Sequence, residues 1–328
     1  MLNSSHSASN KKKKKKGGQR LSFKIMSVQI LILICGLIGI VYCSFPSPLA
    51  MVWLCLEPCG YDEAATSSQL EQLSNLTISE QVINAVSFER YGLGPNGTLV
   101  IHNYTNVIPQ LQWIQQTNEA ENNGMFYTFP MLSSYPYPNE FLAWMRELWN
   151  SSELTQSFIR SCISEALRYN FSGFNVDFEP NDTSEITNED ASNYVAFLNT
   201  FAEQLEIYDL YLTMDYASWS PLWNLTLLSD GLATKTGLNI DMSTYTSSYD
   251  EWLYVFNVSV QAFQSNHNLQ RLGIGLATWN LTNGQSDLTA NAVMERIQVI
   301  KLYNVTHIGI WDMPLPDYWL QPLQAFWD

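Results

Sequence analysis

The feature of this sequence that most restricts its fold is a regular alternation of short apolar runs with helix-like segments. Eight apolar runs of strand length start 28 to 49 residues apart, at Met51–Leu56, Ile83–Phe88, Gly124–Met131, Gly173–Phe178, Leu210–Tyr216, Leu238–Tyr245, Leu272–Thr278 and His307–Met313. Between most of these runs, apolar residues recur at three- and four-residue steps. This spacing predicts helices over Ser67–Leu76, Val107–Asn118, Pro138–Asn150, Leu154–Tyr169, Asn188–Leu205 and Ala290–Tyr303.

Strands that alternate with helices favour parallel βαβ units, and eight such units favour a closed barrel. We therefore predict an α/β fold, a single (β/α)8 TIM barrel that fills residues 45–328, a length that exceeds the roughly 250 residues such a barrel needs. Hydrophobic residues make up 46% of the chain and charged residues 14%, which leaves ample material for a core. An open doubly wound sheet is the alternative, but no Gly-rich phosphate loop follows the first predicted strand.

The first 44 residues predict export. Residues 1–24 contain eight of the 16 basic residues and no acidic one, and Ile25–Cys43 is a nearly continuous apolar run. We predict a Lys-rich cytosolic tail over 1–24, followed over 25–44 by either an uncleaved transmembrane signal-anchor or a cleaved signal peptide. The barrel would then belong to a type II membrane protein, or to a protein that is secreted or delivered to an endolysosomal lumen.

Glycosylation sequons and cysteines agree with export. Ten asparagines stand in Asn-x-Ser/Thr sequons, namely Asn75, Asn96, Asn103, Asn150, Asn170, Asn181, Asn224, Asn257, Asn280 and Asn304. Three cysteines follow the apolar run, and an odd number permits one disulfide at most. We predict a local Cys55–Cys59 bridge and a free, buried Cys162. No His/Cys cluster has the spacing of metal ligands, so neither a metal nor another cofactor is expected.

Charge narrows the class of partner. Beyond residue 24 the chain has eight basic and 31 acidic residues, a formal charge of −23. Such a domain is poorly suited to nucleic acid or anionic lipid and better suited to a neutral ligand, and it is compatible with work at low pH. A monomer is expected.

The fourth predicted strand contains the chemistry. In Ser172–Pro180, side chains alternate between two faces, so that Asn175, Asp177 and Glu179 point one way. Glu179 stands at the carboxyl end of the strand, where barrel enzymes place their catalytic groups. Two carboxylates on one face repel each other, which favours retention of a proton on one of them. A carboxylic acid that is still protonated near neutral pH is what general acid catalysis requires.

These residues resemble the catalytic strand of family 18 glycoside hydrolases, whose signature is D-G-x-D-x-D-x-E. Asn175 matches the variant found in chitobiase-like members. Other segments are similar in the same order, namely Leu212–Asp215 followed by Trp219, then Asp241–Tyr245 for the family's M-T/S-Y strand, then Gly309–Trp311 for its eighth strand. Two departures stand out. Ser172 replaces the first Asp of the signature, and Tyr245 lies one residue further from Met242 than in the usual motif.

The resemblance implies a retaining hydrolase of β-linked N-acetylglucosamine glycosides that acts by substrate assistance. Glu179 would be the proton donor, Asp177 would hold the acetamido group, Asn175 would orient Asp177, and Tyr245 would bind the acetamido oxygen. Further substrate contacts are expected from Trp311, Trp219, Trp279, Asp215 and Met242. The implied ligand is an oligosaccharide such as chitobiose, a chitin oligomer or an N-glycan core. Two alternatives stay open: a carbohydrate-binding barrel that has lost catalysis, and an unrelated barrel or open-sheet enzyme.

Overall fold

The computed structural model describes residues 45–55, 63–102, 112, 126–231, 237–246, 248–278 and 288–328. All of them belong to one structural unit, Cys43–Asp328. Eight parallel strands form its centre, in chain order β1 Leu49–Leu54, β2 Ala85–Gly94, β4 Tyr127–Ser133, β5 Gly173–Asp177, β6 Tyr211–Tyr216, β7 Gly237–Asp241, β8 Leu272–Ala277 and β9 His307–Trp311. A short strand, β3 Thr98–Ile101, pairs antiparallel with β2 on the outside.

The sheet closes on itself. Each strand pairs in parallel with its neighbour in the order β1, β2, β4, β5, β6, β7, β8, β9. The strand β9 then pairs with β1, with Leu49 opposite His307 and Val52 opposite Ile310. The prediction of a (β/α)8 barrel is confirmed, and the open doubly wound alternative is wrong, because an open sheet has two unpaired edges.

Helices follow most strands. They are α1 Glu63–Ser74, α2 Phe141–Asn150, α3 Ser152–Tyr169, α4 Asn188–Glu206, α5 Leu225–Asp230, α6 Tyr249–Ser265, α7 Ala290–Leu302 and α8 Leu320–Trp327. The sequence did not predict α5, α6, α8 or β3. In α6 the apolar pattern is blurred because Tyr254 and Val258 are exposed on the outer side of the helix. The predicted helix over Val107–Asn118 lies outside the described residues apart from position 112.

Two apolar layers flank the barrel wall. A small cluster that includes Met51, Phe129 and Ile240 fills the barrel lumen. A much larger core lies between the strands and the helices, and it includes Phe174 and Val176 of β5 together with Phe178, the residue after β5. The side chains between these three therefore face the lumen, as the alternation predicts. Each fully buried side chain of this size contributes about 1.5–3 kcal/mol, so the outer core fixes which way the polar face points.

The loop after β5 is fastened to the helical layer. Thr187 caps α4 in a reciprocal capping box with Asp190. Arg146 of α2 donates from Nε and Nη2 to the two carboxylate oxygens of Asp190, both at 2.9 Å, and from Nη2 to the carbonyl of Glu185 at 2.8 Å. A bidentate pair of this kind holds geometry as well as charge, and it anchors the far end of the segment that contains Glu179.

Several sequence predictions concern the start of the chain. In the part of the chain that the structure describes, no helix combines the length and apolarity needed to span a membrane. The tail over 1–24 and the anchor or signal over 25–44 lie outside the described residues, and these boundaries stay predictions. Cys55 is disulfide-bonded, but Cys59 lies outside the described residues, so the Cys55–Cys59 pairing also stays a prediction. Cys162 is a buried free thiol, as predicted.

The first testable prediction concerns Gly173, where β5 passes very close to β6. A Cβ atom at this position would lie 1.9 Å from the carbonyl oxygen of Tyr211. Because that oxygen belongs to the backbone of a central strand, it has little freedom to move, and Gly173→Ala should reduce the free energy of unfolding by about 3 kcal/mol or more.

Gly273→Ala is the matched control, because its added Cβ would come no closer than 3.3 Å to any atom, the nearest being Cγ1 of Ile240, and would lie at ordinary contact distances of 3.5 and 3.7 Å from His307 Cβ and the Asn239 carbonyl oxygen. Urea unfolding of the two variants gives the comparison. Equal losses of stability would contradict the close approach of β5 and β6.

Candidate active site

A cleft of about 180 Å³ opens at the carboxyl ends of the strands. Seven of the residues proposed from the sequence line it: Asp177, Glu179, Asp215, Trp219, Met242, Tyr245 and Trp311. Trp53, Glu89 and Tyr137 also line it and were not proposed. Trp279, the remaining predicted substrate contact, lies outside the described residues. The cleft therefore brings together side chains from seven barrel strands and the segments that follow them.

The two carboxylates of the D-x-E segment lie side by side along one strand. Asp177 is the last residue of β5, and Glu179 follows two positions later with its backbone N–H donating to Ser134 Oγ at 3.3 Å. Oδ1 of Asp177 is buried and has no hydrogen-bond partner among the described residues. A buried carboxylate oxygen without a donor is costly, so this atom is available to a hydrogen-bond donor on a ligand.

Burial dominates the electrostatics of the cleft. It raises the pKa of Asp177 well above the ordinary value, and the negative charges of Glu179 and Asp215 add to the effect. Burial also raises the pKa of Glu179. The pKa of Asp215 is raised well above its ordinary value by burial, against an opposing hydrogen bond from Asn175. The group as a whole therefore retains protons at a pH where isolated carboxyls are ionised, which is the condition for a general acid.

Asn175 of β5 forms hydrogen bonds to side chains of three other strands, β1, β2 and β6. Its amide donates to Thr213 Oγ1 at 2.9 Å and to Asp215 Oδ1 at 3.2 Å. Its carbonyl oxygen accepts from Trp53 Nε1 at 3.2 Å and from Ser87 Oγ at 3.3 Å.

The role that the resemblance implies for Asn175, the orientation of Asp177, stays a prediction. Within the described residues its hydrogen bonds fix Asp215 and Trp53 and do not reach Asp177. The partners of Asn175 lie on β6, which is paired with β5, and on β1 and β2, which are not paired with β5.

Tyr245 reaches the cleft because the chain turns. The strand β7 ends at Asp241, and Met242–Thr244 form a single turn of 3-10 helix. Leu238 and Ile240 face the lumen, so straight continuation of the strand would place Tyr245 on the outer side. The turn absorbs the additional residue between Met242 and Tyr245, which was the second departure from the family pattern. Within the described residues the buried Tyr245 hydroxyl has no hydrogen-bond partner.

Asp241 holds this turn. Its carboxylate accepts from the backbone N–H of Ser243 at 2.8 Å and from Ser259 Oγ of α6 at 2.5 Å. Thr244 Oγ1 is within hydrogen-bond distance of the carbonyls of Asp241 and Gly275, at 2.6 and 2.7 Å. A Cβ on Gly275 would lie 2.5 Å from Cε1 of Tyr245. The tyrosine ring is therefore seated directly on the backbone of β8.

Aromatic rings form the floor and rim of the cleft. The rings of Trp53 and Trp311 lie with their centroids 6.3 Å apart. Trp53 fits because Gly309 has no side chain, since a Cβ there would lie 2.4 Å from the indole. Trp219 stands at the rim with 54% of its surface exposed. Flat apolar faces of this kind are suited to the C–H faces of sugar rings.

Three residues that line the cleft were not predicted from the sequence, and they differ in whether a sequence pattern could have indicated them. Trp53 follows the same alternation as Met51 on β1 and could have been found from it. Glu89 was lost because the predicted second strand stopped at Phe88, whereas β2 continues to Gly94. Tyr137 lies in a loop with a left-handed backbone, φ 59°, and its carbonyl accepts a hydrogen bond from Asn181 Nδ2. No sequence pattern predicts this arrangement.

Comparison with known proteins identifies the fold. No protein-family model and no curated protein sequence matches the chain. Among solved structures, a class V chitinase from Pseudomonas fluorescens Pf-5 is 14% identical, with 86% of this chain and 100% of that chain covered and a TM-score of 0.61. An Ostrinia furnacalis Group IV chitinase, solved with allosamidin, is 13% identical over 85% and 97%, with a TM-score of 0.63. A GH18 chitinase from Flavobacterium johnsoniae is 12% identical over 86% and 94%, with a TM-score of 0.60. The chain therefore has the fold of these chitinases.

The second prediction follows from the raised carboxyl pKa values. A raised folded-state pKa contributes stability that is fully present below the unfolded value, about pH 4 for Asp, and is lost as pH rises through the folded value. Ionised Asp177 therefore destabilises the protein at neutral pH. We expect Asp177→Asn to raise the thermal midpoint by roughly 2–4 °C at about pH 7 and to change it little at about pH 4.

Asp190→Asn is the control of opposite sign. Hydrogen bonds from Arg146 lower the pKa of Asp190, so its contribution is present above the unfolded value and is lost as pH falls. This variant should lower the midpoint at neutral pH. Calorimetry across the pH range measures both, and a lower midpoint for Asp177→Asn at neutral pH would contradict the assignment.

Proposed function

We propose that this protein is a retaining glycoside hydrolase that cleaves β-linked N-acetylglucosamine glycosides by substrate assistance. The observation that carries the proposal is the placement of Asp177, Glu179 and Tyr245 around one cleft, with both carboxyl pKa values raised. The fold shared with chitinases supports it, and so does the aromatic floor that Trp53 and Trp311 provide.

In the first step, Glu179 donates its proton to the glycosidic oxygen. The carbonyl oxygen of the substrate's own 2-acetamido group attacks the anomeric carbon, the bond to the leaving sugar breaks, and a cyclic oxazolinium ion forms. Asp177 accepts a hydrogen bond from the acetamido N–H, which holds the nucleophile in line and offsets the positive charge that develops. The unpartnered oxygen of Asp177 is the acceptor that this step needs.

In the second step, Glu179 removes a proton from water, which attacks the anomeric carbon on the face left by the departing sugar. The oxazolinium ring opens, the acetamido group is restored, and the configuration is retained. This route departs from the usual scheme with two catalytic carboxylates, because the nucleophile that displaces the leaving sugar belongs to the substrate and not to a second carboxylate.

Tyr245 and Asp215 complete the site. Burial raises the pKa of the Tyr245 hydroxyl well above its ordinary value, so the group remains a donor, and we assign it to the acetamido oxygen. Asp215 is held by Asn175 and lies close enough to raise the pKa of Asp177. We assign Asn175 to the positioning of Asp215 and Trp53, and Trp311, Trp219 and Met242 to the walls that hold the sugar.

The substrate class follows from the mechanism, which requires an N-acetyl group at C2 of the cleaved sugar. Chitobiose, chitin oligomers and the N-glycan core all meet this condition. We further propose that the barrel acts in the secretory pathway or an endolysosomal lumen, by way of residues 25–44. In support, none of the sequon asparagines that the structure describes is buried: Asn75, Asn96, Asn150, Asn170, Asn181, Asn224, Asn257 and Asn304.

The third prediction tests the acid. Glu179→Gln removes the transferable proton and keeps the shape of the side chain, so hydrolysis should fall by about 10²–10⁴-fold. The measurement uses fluorogenic N-acetylglucosamine oligomers and a high-mannose glycopeptide, between about pH 4 and pH 7. Activity should decline as pH rises through the raised pKa of Glu179, because the proton donor is then lost.

Glu185→Gln is the matched control, because Glu185 is an exposed glutamate in the same loop. It should leave the rate unchanged. If the wild type binds the oligosaccharides but cleaves neither substrate, and Glu179→Gln binds them equally well, the protein is a carbohydrate-binding barrel and the proposal is wrong.

The fourth prediction tests how Tyr245 is seated. Tyr245→Phe should lower kcat/KM by about 10²-fold, the loss typical of a reacting group that is no longer held in line. Gly275→Ala should have a similar effect, because the new methyl group occupies the space of the Tyr245 ring.

If Gly275 acts through Tyr245, the double variant should be no slower than Tyr245→Phe alone. Losses that multiply would show that Gly275→Ala damages the site by another route, for example through the Asp241 carbonyl, which would lie 2.6 Å from the added methyl group. Gly273→Ala on the same strand is the control, and thermal midpoints show whether each variant is folded.

A further inference from the structure

The outer face of α6 has apolar side chains where a surface helix is usually polar. Tyr254 is 70% exposed and Val258 is 41% exposed. Residues four apart on a helix are neighbours on one face, so the two side chains form a single exposed apolar area. The inner face of α6 is already packed, through Trp252, Phe256, Ser259, Val260 and Phe263. The apolar area is therefore additional to the face that the barrel uses.

Asn257 lies beside this apolar area. It follows Tyr254 by three positions and directly precedes Val258, and it is half-buried. Cβ atoms three positions apart on a helix are about 5–6 Å from each other. Asn257 also begins one of the Asn-x-Ser/Thr sequons, with Ser259 as the hydroxyl residue. A sugar joined to Nδ2 of Asn257 would therefore start within reach of the Tyr254 ring.

The helix separates the two ends of this sequon. Side chains two positions apart share a side in an extended chain but are about 200° apart on a helix. Ser259 is buried, and its Oγ donates to the Asp241 carboxylate at 2.5 Å. An enzyme that recognises the amide and the hydroxyl together must therefore act before α6 forms. Once the helix has formed, Ser259 is inside and Asn257 stays at the surface with the attached sugar.

The chemistry of the apolar area fits a sugar. The first sugar of an N-linked glycan is N-acetylglucosamine, which has a face of C–H groups and a rim of hydroxyls. The C–H face can pack on an exposed aromatic ring, which removes apolar surface from water and leaves the hydroxyls in solvent. A protein partner fits less well, because two side chains provide far less than the roughly 800 Å² per partner of a stable interface.

The pairing of a sequon with exposed apolar surface is repeated in this chain. Three other sequons that the structure describes have an exposed aliphatic side chain within three residues, namely Asn75 with Ile78, Asn170 with Leu167, and Asn304 with Leu302. Among these four sequons, only that of α6 has an exposed aromatic ring this close. The contact between sugar and protein is therefore best tested there.

We infer that Asn257 is N-glycosylated and that its first N-acetylglucosamine packs on Tyr254 and Val258, covering the outer face of α6. The hydroxyl of Ser259 then has two successive roles. In the extended chain it completes the sequon, and in the folded protein it holds Asp241, which caps the turn before Tyr245. The inference rests on the proposed passage through the secretory pathway and is independent of the hydrolase activity.

The fifth prediction is tested on the full-length protein produced in eukaryotic cells. Glycopeptide mass spectrometry should find a glycan on Asn257. Tyr254→Ser removes the ring but has a similar helix propensity, and it should lower the thermal midpoint by roughly 2–4 °C when the glycan is present. In an Asn257→Gln background, which has no glycan at this position, Tyr254→Ser should leave the midpoint unchanged, because the ring then has no sugar to contact.

Tyr208→Ser is the control, because Tyr208 is an exposed tyrosine with no sequon asparagine within ten residues. Its effect on the midpoint should be the same with and without Asn257→Gln. An unoccupied Asn257, or an equal effect of Tyr254→Ser in both backgrounds, would overturn the inference. Glycans on other sequons but not on Asn257 would leave the proposed export intact, whereas a chain without any glycan would contradict the export as well.

Discussion

The burial of three carboxyl groups at the carboxyl ends of the barrel strands is the constraint that the rest of the structure has to satisfy. Asp177, Glu179 and Asp215 are placed together where burial raises the pKa of each. Ionising them there is unfavourable, and the surrounding fold must hold them against that cost. The outer core anchors the opposite face of the same strand through Phe174, Val176 and Phe178. The polar face and the packed face are thus two sides of one segment, and the apolar side holds the polar side in place.

Missing side chains matter as much as those present. Gly173 allows β5 to approach β6, Gly309 makes room for Trp53, and Gly275 makes room for Tyr245. In each case the neighbour that would collide is backbone or an aromatic ring, so displacement is expensive. Trp53 and Tyr245 fit in the barrel because the neighbouring strands, β9 and β8, lack a Cβ at the point of contact.

The parts of this molecule that obey a simple period could be predicted from the sequence. The eight strands follow from apolar runs at a regular spacing, and the inward direction of Asp177 follows from a period of two. Predictions failed where the chain departs from the periodicity of a strand or a helix, and where a side chain contacts residues that are distant in the sequence. The turn that redirects Tyr245 is invisible to strand alternation, the partners of Asn175 come from three other strands, and the outer residues of α6 conceal its buried face. Glu89 lay one residue beyond the end of a predicted strand.

The turn at Met242–Thr244 has a wider consequence. Compared with the family pattern, one additional residue separates Met242 from Tyr245. The Tyr245 ring still lies in the cleft, because a 3-10 turn capped by Asp241 accommodates the extra residue. At the carboxyl ends of barrel strands, where barrel enzymes place their catalytic groups, the number of residues between two side chains therefore does not determine the distance between them. A search that counts residues between motif letters will misplace or lose such a site, whereas a search that compares atomic positions will recover it. Active sites of this architecture are better described by which wall of the barrel each group occupies than by the intervals in their sequence signature.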